Sequence, residues 1–102
     1  MTFQLVVPKR VEDEIRRIDA WWRRHRLAAP DLFVEELAAA LELLASAPHA
    51  GRKYDHPSVS DVRRVILRAT RYHVYYKIHS REVFVLALRS ARRGTGPKLQ
   101  QR

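Results

Sequence analysis

The apolar residues of this chain recur at helical intervals through its first half and then alternate, and that change of period limits the fold more than any other feature. From Pro8 to about Leu27, Val11, Ile15, Ile18 and Trp22 recur at intervals of four, three and four, which puts them on one face of a helix. From Asp31 to Ala47, Phe33, Leu37, Leu41 and Leu44 recur at four, four and three, predicting a second amphipathic helix that ends before Pro48 and Gly51. Ala28, Ala29 and Pro30 interrupt the two patterns. A turn of about four residues would join the helices as an antiparallel hairpin.

Each helix needs a further surface over its apolar stripe, and the second half supplies one. Val62 to Arg68, Tyr72 to Ile78 and Glu82 to Arg89 are rich in β-branched and aromatic residues and separated by short polar gaps, which predicts an antiparallel three-stranded meander. On its middle strand Val74, Tyr76 and Ile78 share one face, and His73, Tyr75 and Lys77 share the other. One face is expected to pack on the helices and the other to be polar, aromatic and basic. A short strand, Thr2 to Val7, precedes the helices and stops at Pro8. His49 to Ser60, with Gly51, Pro57, Ser58 and Ser60 and with Pro48 just before it, reads as a loop. The tail from Arg92 is basic and rich in helix breakers. The expected architecture is α+β, with an N-terminal strand and an antiparallel two-helix hairpin packed on a mostly antiparallel β-sheet, completed by the C-terminal three-stranded meander. Residues 1–102 form a single domain in this reading.

Charge is divided as unevenly as structure. The formal net charge is +9, yet residues 1–51 hold seven Lys/Arg against eight Asp/Glu, whereas residues 52–102 hold thirteen against three. Such asymmetry points to an anionic partner, whether nucleic acid, a ribosome or an acidic protein segment, or else to a merely basic surface. With no cysteine, a disulfide framework, a thiolate metal site and a cysteine nucleophile are excluded. No apolar run approaches the roughly 20 residues that span a bilayer, and no signal peptide is recognisable, so a cytoplasmic protein without membrane contact is expected.

Arg63, Arg64, Arg68, Arg71, His73, Tyr75, Lys77, Arg89, Arg92 and Arg93 are distributed over the three neighbouring strands and the tail. Arginine offers a two-pronged donor for phosphate and an aromatic ring beside it can stack a base, a combination suited to nucleic acid. The same residues also suit a solvated sheet face. The five histidines lack metal-ligand spacing, so neither metal nor cofactor is expected. Trp22 falls on the apolar stripe of the first helix. Trp21 lies about 100° round it, and either packs at the edge of the stripe or is exposed as an anchor for a partner.

The order of elements then meets familiar residues. The stretch from Ile15 to Trp22, the Ala29-Pro30 turn before Phe33 and Leu37, and Leu44 with Pro48 and Gly51 precede V-R-R-V-I-L-R-A-T-R-Y-H-V-Y-Y-K-I and V-F-V-L-A-L-R-S-A-R-R-G. Together they resemble the RelE/ParE family of type II toxin-antitoxin toxins across almost the whole chain. The resemblance implies a cytoplasmic toxin held inactive by a cognate antitoxin, in a complex able to bind operator DNA. It also implies one of two targets. ParE-like members bind and poison DNA gyrase, whereas RelE-like members enter the ribosome and cleave mRNA with basic residues of the central sheet.

In the ribonuclease pattern the first basic strand position is filled by Arg64 and the basic residue at the end of the last strand by Arg92. The general-base position holds Ile66, the central arginine position holds His73, and the tyrosine of a C-terminal helix has no counterpart. Isoleucine cannot accept a proton, while His73 can act as base or acid near neutral pH. A ribonuclease would therefore rest on His73, Arg64 and Arg92 as catalytic residues. The missing groups favour the ParE-like, binding-only reading.

Overall fold

In the computed structural model, which describes residues 2–92 and Leu99, the alternating segments form one five-stranded sheet. Its strands are β1 (Gln4–Val6), β2 (Arg52–Tyr54), β3 (Val62–Leu67), β4 (Tyr72–His79) and β5 (Glu82–Ser90), in the order β1-β5-β4-β3-β2. β1 runs parallel to β5, and every other pair is antiparallel. The helices α1 (Lys9–His25) and α2 (Leu32–Ser46) separate β1 from the rest. Expected and observed architecture agree: α+β, with the hairpin on a mostly antiparallel sheet and the meander at its centre.

Pro8 sets the start of α1, its carbonyl accepting from Val11 and Glu12 N–H at 2.9 Å. Glu12 in the first turn and Arg23, Arg24 and His25 in the last complement the helix dipole. The helix stops at His25, two residues early, and six residues rather than about four separate it from α2. The Trp22 indole N–H donates to Ala29 O at 2.9 Å and ties that wider turn to the helix.

The helical stripes bury where their spacing directed. Val11, Trp22, Phe33 and Leu37 pack with Leu67, Val74, Val85 and Leu88 of the sheet, and Leu44 packs with Tyr76 and Val83. Where β1 ends, α1 takes over the exposed margin of β5. Arg10 donates to Leu86 O at 3.0 Å and the Glu14 carboxylate accepts from Leu88 N–H at 3.1 Å. One side chain from α2, Glu36, receives Ala69 N–H at 2.7 Å, Thr70 N–H at 3.0 Å and the Thr70 hydroxyl at 2.7 Å, fixing the β3–β4 turn.

Two expectations need correction. The segment His49–Ser60 is not all loop: a 3-10 turn at Pro48–Ala50 leads into β2, which pairs Arg52, Lys53 and Tyr54 with Arg64, Arg63 and Val62. The face of the sheet away from the helices is not wholly polar either. Val59, Val62, Tyr75, Leu86 and Ala87 form a second buried cluster there, with Tyr54 and Leu99 against it. A bulge contributes, because Tyr75 pairs with Ala87 but Tyr76 with Val85, so Leu86 is an extra residue on β5. Among the described residues no helix is long and apolar enough to cross a membrane.

Candidate functional site

β2 is only three residues long, so β3 has a strand partner at Val62–Arg64 and none on that side at Val65–Leu67. A groove of about 430 Å³ lies along this open edge. Leu43, Val65 and Ile66 give it an apolar floor, while Arg52, Arg64, Arg68 and His73 surround it with donors. Leu43 stands 49% exposed on α2, so its apolar surface is part of the groove rather than of the core.

Arg64 is the best-held cation here. Its guanidinium carbon lies 4.9 Å from the Tyr54 ring centroid and 6.0 Å from that of Tyr75, and Nη1 donates to the Tyr75 hydroxyl at 3.3 Å. Arg52 is directly opposite it on β2, and no ion pair neutralises either residue among the described residues. His73 is the cross-strand partner of Ile66. Burial pushes its imidazole below the ordinary value of 6.5, and the charges of Arg64 and Arg71 push it further the same way. The ring is therefore neutral at physiological pH and able to accept a proton or a hydrogen bond.

The groove is held in shape by Tyr76, which is fully buried. Its hydroxyl donates to Pro48 O at 2.7 Å and accepts from Gly51 N–H at 2.9 Å, linking β4 to the chain that enters β2. Burial raises that hydroxyl above its ordinary value of 10.0, the Gly51 N–H and Arg63 opposing only in part, so it stays protonated and keeps donating. Arg63 joins the same linkage from the helix side of β3, with Nη1 at 2.8 Å from Gly51 O.

Of the residues singled out from sequence, Arg64, Arg68 and His73 come together in the groove, with Arg71 exposed in the turn beside them. The others are elsewhere. Arg63 braces Gly51. Arg89 is neutralised by Glu14 of α1, whose carboxylate accepts from its Nη1. Tyr75 is 2% exposed, so its ring packs in the second cluster instead of offering a face to a base. Lys77 is half-buried opposite Phe84. Arg92 lines a different cavity, beside Trp21 and Trp22, and so does not meet His73 and Arg64. Arg93 lies outside the described residues.

Sequence reasoning missed Arg52 and Tyr54, because β2 lies inside a segment that Gly51, Pro57 and its serines mark as loop, and Leu43, because it stands off the apolar stripe of α2. Three residues, two of them basic, make no strand pattern of their own, so no local signal marked β2. Trp21 is neither simply edge-packed nor free: it is 41% exposed, with its ring stacked at 4.6 Å on His25 and 5.0 Å from the Arg26 guanidinium.

A helical hairpin laid on a five-stranded sheet, with a basic groove at the sheet's open edge, defines a small α+β domain. Residues 5–94 match the family model described as ParE toxin of type II toxin-antitoxin system, parDE. The chain belongs to the RelE/ParE family of type II toxins. The isolated E. coli RelE toxin is similar in fold, with 22% sequence identity and a TM-score of 0.58 over 90% of this chain and 87% of that one. A double arginine-to-alanine mutant of E. coli RelE in the free state is similar at 21% identity and a TM-score of 0.58, covering 90% of this chain and 86% of its own. No match is found among proteins with curated descriptions.

Proposed function

We propose that this toxin arrests growth by binding and poisoning DNA gyrase, that its cognate antitoxin neutralises it in the cytoplasm, and that the complex binds operator DNA. The observation that carries this reading is the makeup of the groove. Arg52, Arg64 and Arg68 present three guanidinium groups, the general-base position is Ile66, and the nearby phenol of Tyr75 is buried against Arg64. Such a surface binds well and has few groups for proton transfer. The name of the matching family model points the same way.

The test is direct. The purified chain is expected to inhibit gyrase supercoiling and to leave ribosome-bound mRNA intact, and Arg64→Ala is expected to weaken the inhibition. Cleavage of mRNA in the ribosomal A site with gyrase unaffected would overturn the proposal. One observation favours that second reading: His73, neutral at physiological pH, sits directly across from Ile66, beside the position a base would occupy. In that case His73→Ala abolishes cleavage and leaves antitoxin binding in place.

A further inference from the structure

Nothing that lines the groove beside β3 favours a charged His73. The lining holds three arginines, Arg52, Arg64 and Arg68, and no carboxylate. Positive charge faces the imidazole from several elements: Arg64 from β3, Arg71 from the β3–β4 turn, and Arg52 from β2 across the groove. On β5 its cross-strand partner is Arg89, but that guanidinium is neutralised by Glu14 of α1. α2 contributes only the apolar Leu43 to the lining.

The imidazole is held without being paired. The Tyr75 ring meets it edge-on, with centroids 5.9 Å apart, and neither ring nitrogen has a hydrogen-bond partner among the described residues. Burial keeps the ring neutral, and the charges of Arg64 and Arg71 act in the same direction. An anion seated in the groove reverses the electrostatic part of that balance. It offsets the guanidinium charges nearest the ring, and it accepts a charge-assisted hydrogen bond from the imidazolium that neutral imidazole cannot match. Further burial under a ligand acts the other way. An apolar occupant supplies only that burial and leaves the ring neutral, so the sign of the response tells the two kinds of occupant apart.

We infer that the groove takes up a proton on His73 when an anionic group enters it, so that the toxin holds its partner more tightly in mildly acidic conditions than at neutral pH. The inference rests on the proposed reading of the groove as the surface that meets the partner. The sign follows from linkage: the bound state carries more protons than the free state, so proton and anion each raise the affinity for the other by the same factor. An arginine in place of His73 would be charged at every pH and would hold the same anion unconditionally. The histidine makes the fourth cation of the groove depend on pH.

Inorganic sulfate is the probe, because its own charge is constant across the range in which histidine titrates. The unaltered protein is titrated by NMR in sulfate and in chloride of equal ionic strength, following the His73 ring protons. The His73 midpoint should be higher in sulfate than in chloride, and sulfate affinity should rise about three- to tenfold between roughly pH 8 and pH 5.5, the worth of one partly exposed charge pair. His73→Asn should bind sulfate with little dependence on pH. Arg64→Gln should weaken sulfate binding several-fold, whereas Arg17→Gln, which removes a charge from the exposed side of α1, should leave it in place. A His73 midpoint that falls or stays the same in sulfate, a pH dependence that survives His73→Asn, or equal losses for Arg17→Gln and Arg64→Gln would each overturn the inference. A toxin that fails to inhibit gyrase at any pH would instead count against the proposed target, and the sulfate titration stands apart from that result.

Discussion

The contact between Gly51 and Tyr76 permits a quantitative test of how the groove is built. A methyl group added at Gly51 would meet the Tyr76 hydroxyl at 2.4 Å, its Cε1 at 2.8 Å and Arg64 O at 2.9 Å. The phenol cannot retreat, being 0% exposed and bonded to Pro48 O, and Arg64 O belongs to a sheet strand. Gly51 has an ordinary φ of −75°, so the constraint is space and not backbone conformation. The backbone at residue 51 must therefore move, at an overpacking cost of about 1–3 kcal/mol. The bond from its N–H to Tyr76 is lost as well, for about 1 kcal/mol more. Gly51→Ala should thus cost about 3 kcal/mol, on the order of 15 °C in Tm for a domain near this size. Tyr76→Phe leaves the buried Gly51 N–H unpaired and should cost about 2 kcal/mol. Because both changes remove the same hydrogen bond, and the second also removes the closest clashing atom, the double variant should be more stable than the sum predicts by about 1–2 kcal/mol. Urea unfolding of the four proteins followed by circular dichroism measures the cycle. Additivity within about 0.5 kcal/mol, or a Gly51→Ala variant as stable as the parent, would refute the account.

Three further outcomes follow from the same structure. For the Glu36 carboxyl, burial acts to raise the pKa, but the Thr70 hydroxyl and the Ala69 and Thr70 N–H groups outweigh it, so the pKa lies below the ordinary 4.5. Its stabilisation is complete above 4.5 and lost as pH falls through the depressed folded value, so Glu36→Gln, costing about 2 kcal/mol at neutral pH, should flatten the acid limb of a pH–stability curve. His73 has the opposite consequence: with its folded pKa below 6.5, the unfolded chain binds the proton more readily, and stability declines as pH falls below 6.5. His73→Asn should remove that part of the decline in thermal melts across the same range, and an NMR titration midpoint at or above 6.5 would contradict it. Glu14→Gln should destabilise by about 1 kcal/mol in urea unfolding, because Leu88 N–H and Arg89 lose a charged acceptor that is mostly shielded from water.

Periodicity carried most of the fold. Val11, Ile15, Ile18 and Trp22 needed only their spacing to be placed on the sheet, and the three meander strands needed only alternation. What local pattern could not reveal was set by distant partners. β2 exists because Arg52, Lys53 and Tyr54 complete the hydrogen bonding of β3, and those three residues have no strand pattern of their own. Tyr75 obeys its expected alternation and is nevertheless buried, since Val59 from the loop and Leu86 from the bulge close over that face. The candidate site residues were legible as residue types and not as an arrangement: Arg89 meets a carboxylate 75 positions away, and Arg63 turns to Gly51.

The distribution of partners changes what the +9 net charge means for binding. Thirteen Lys/Arg in the second half would suggest a strongly salt-dependent polyanion binder. Arg63 and Arg89 are committed to a carbonyl and a carboxylate, however, and the cations lining the two cavities beside the β3–β4 turn are Arg52, Arg64 and Arg68 in one and Arg26 and Arg92 in the other. Each phosphate neutralised on a single strand contributes roughly −0.7 to the slope of log K against log salt. Five contacts therefore give a slope of about −3.5, whereas thirteen would give about −9. Binding of a single-stranded oligonucleotide measured across a range of salt concentrations separates the two, and Arg64→Gln should reduce the slope by about 0.7. A slope near −9, or one unmoved by Arg64→Gln, would mean that the basic surface acts as a diffuse field, and that the two cavities do not organise it.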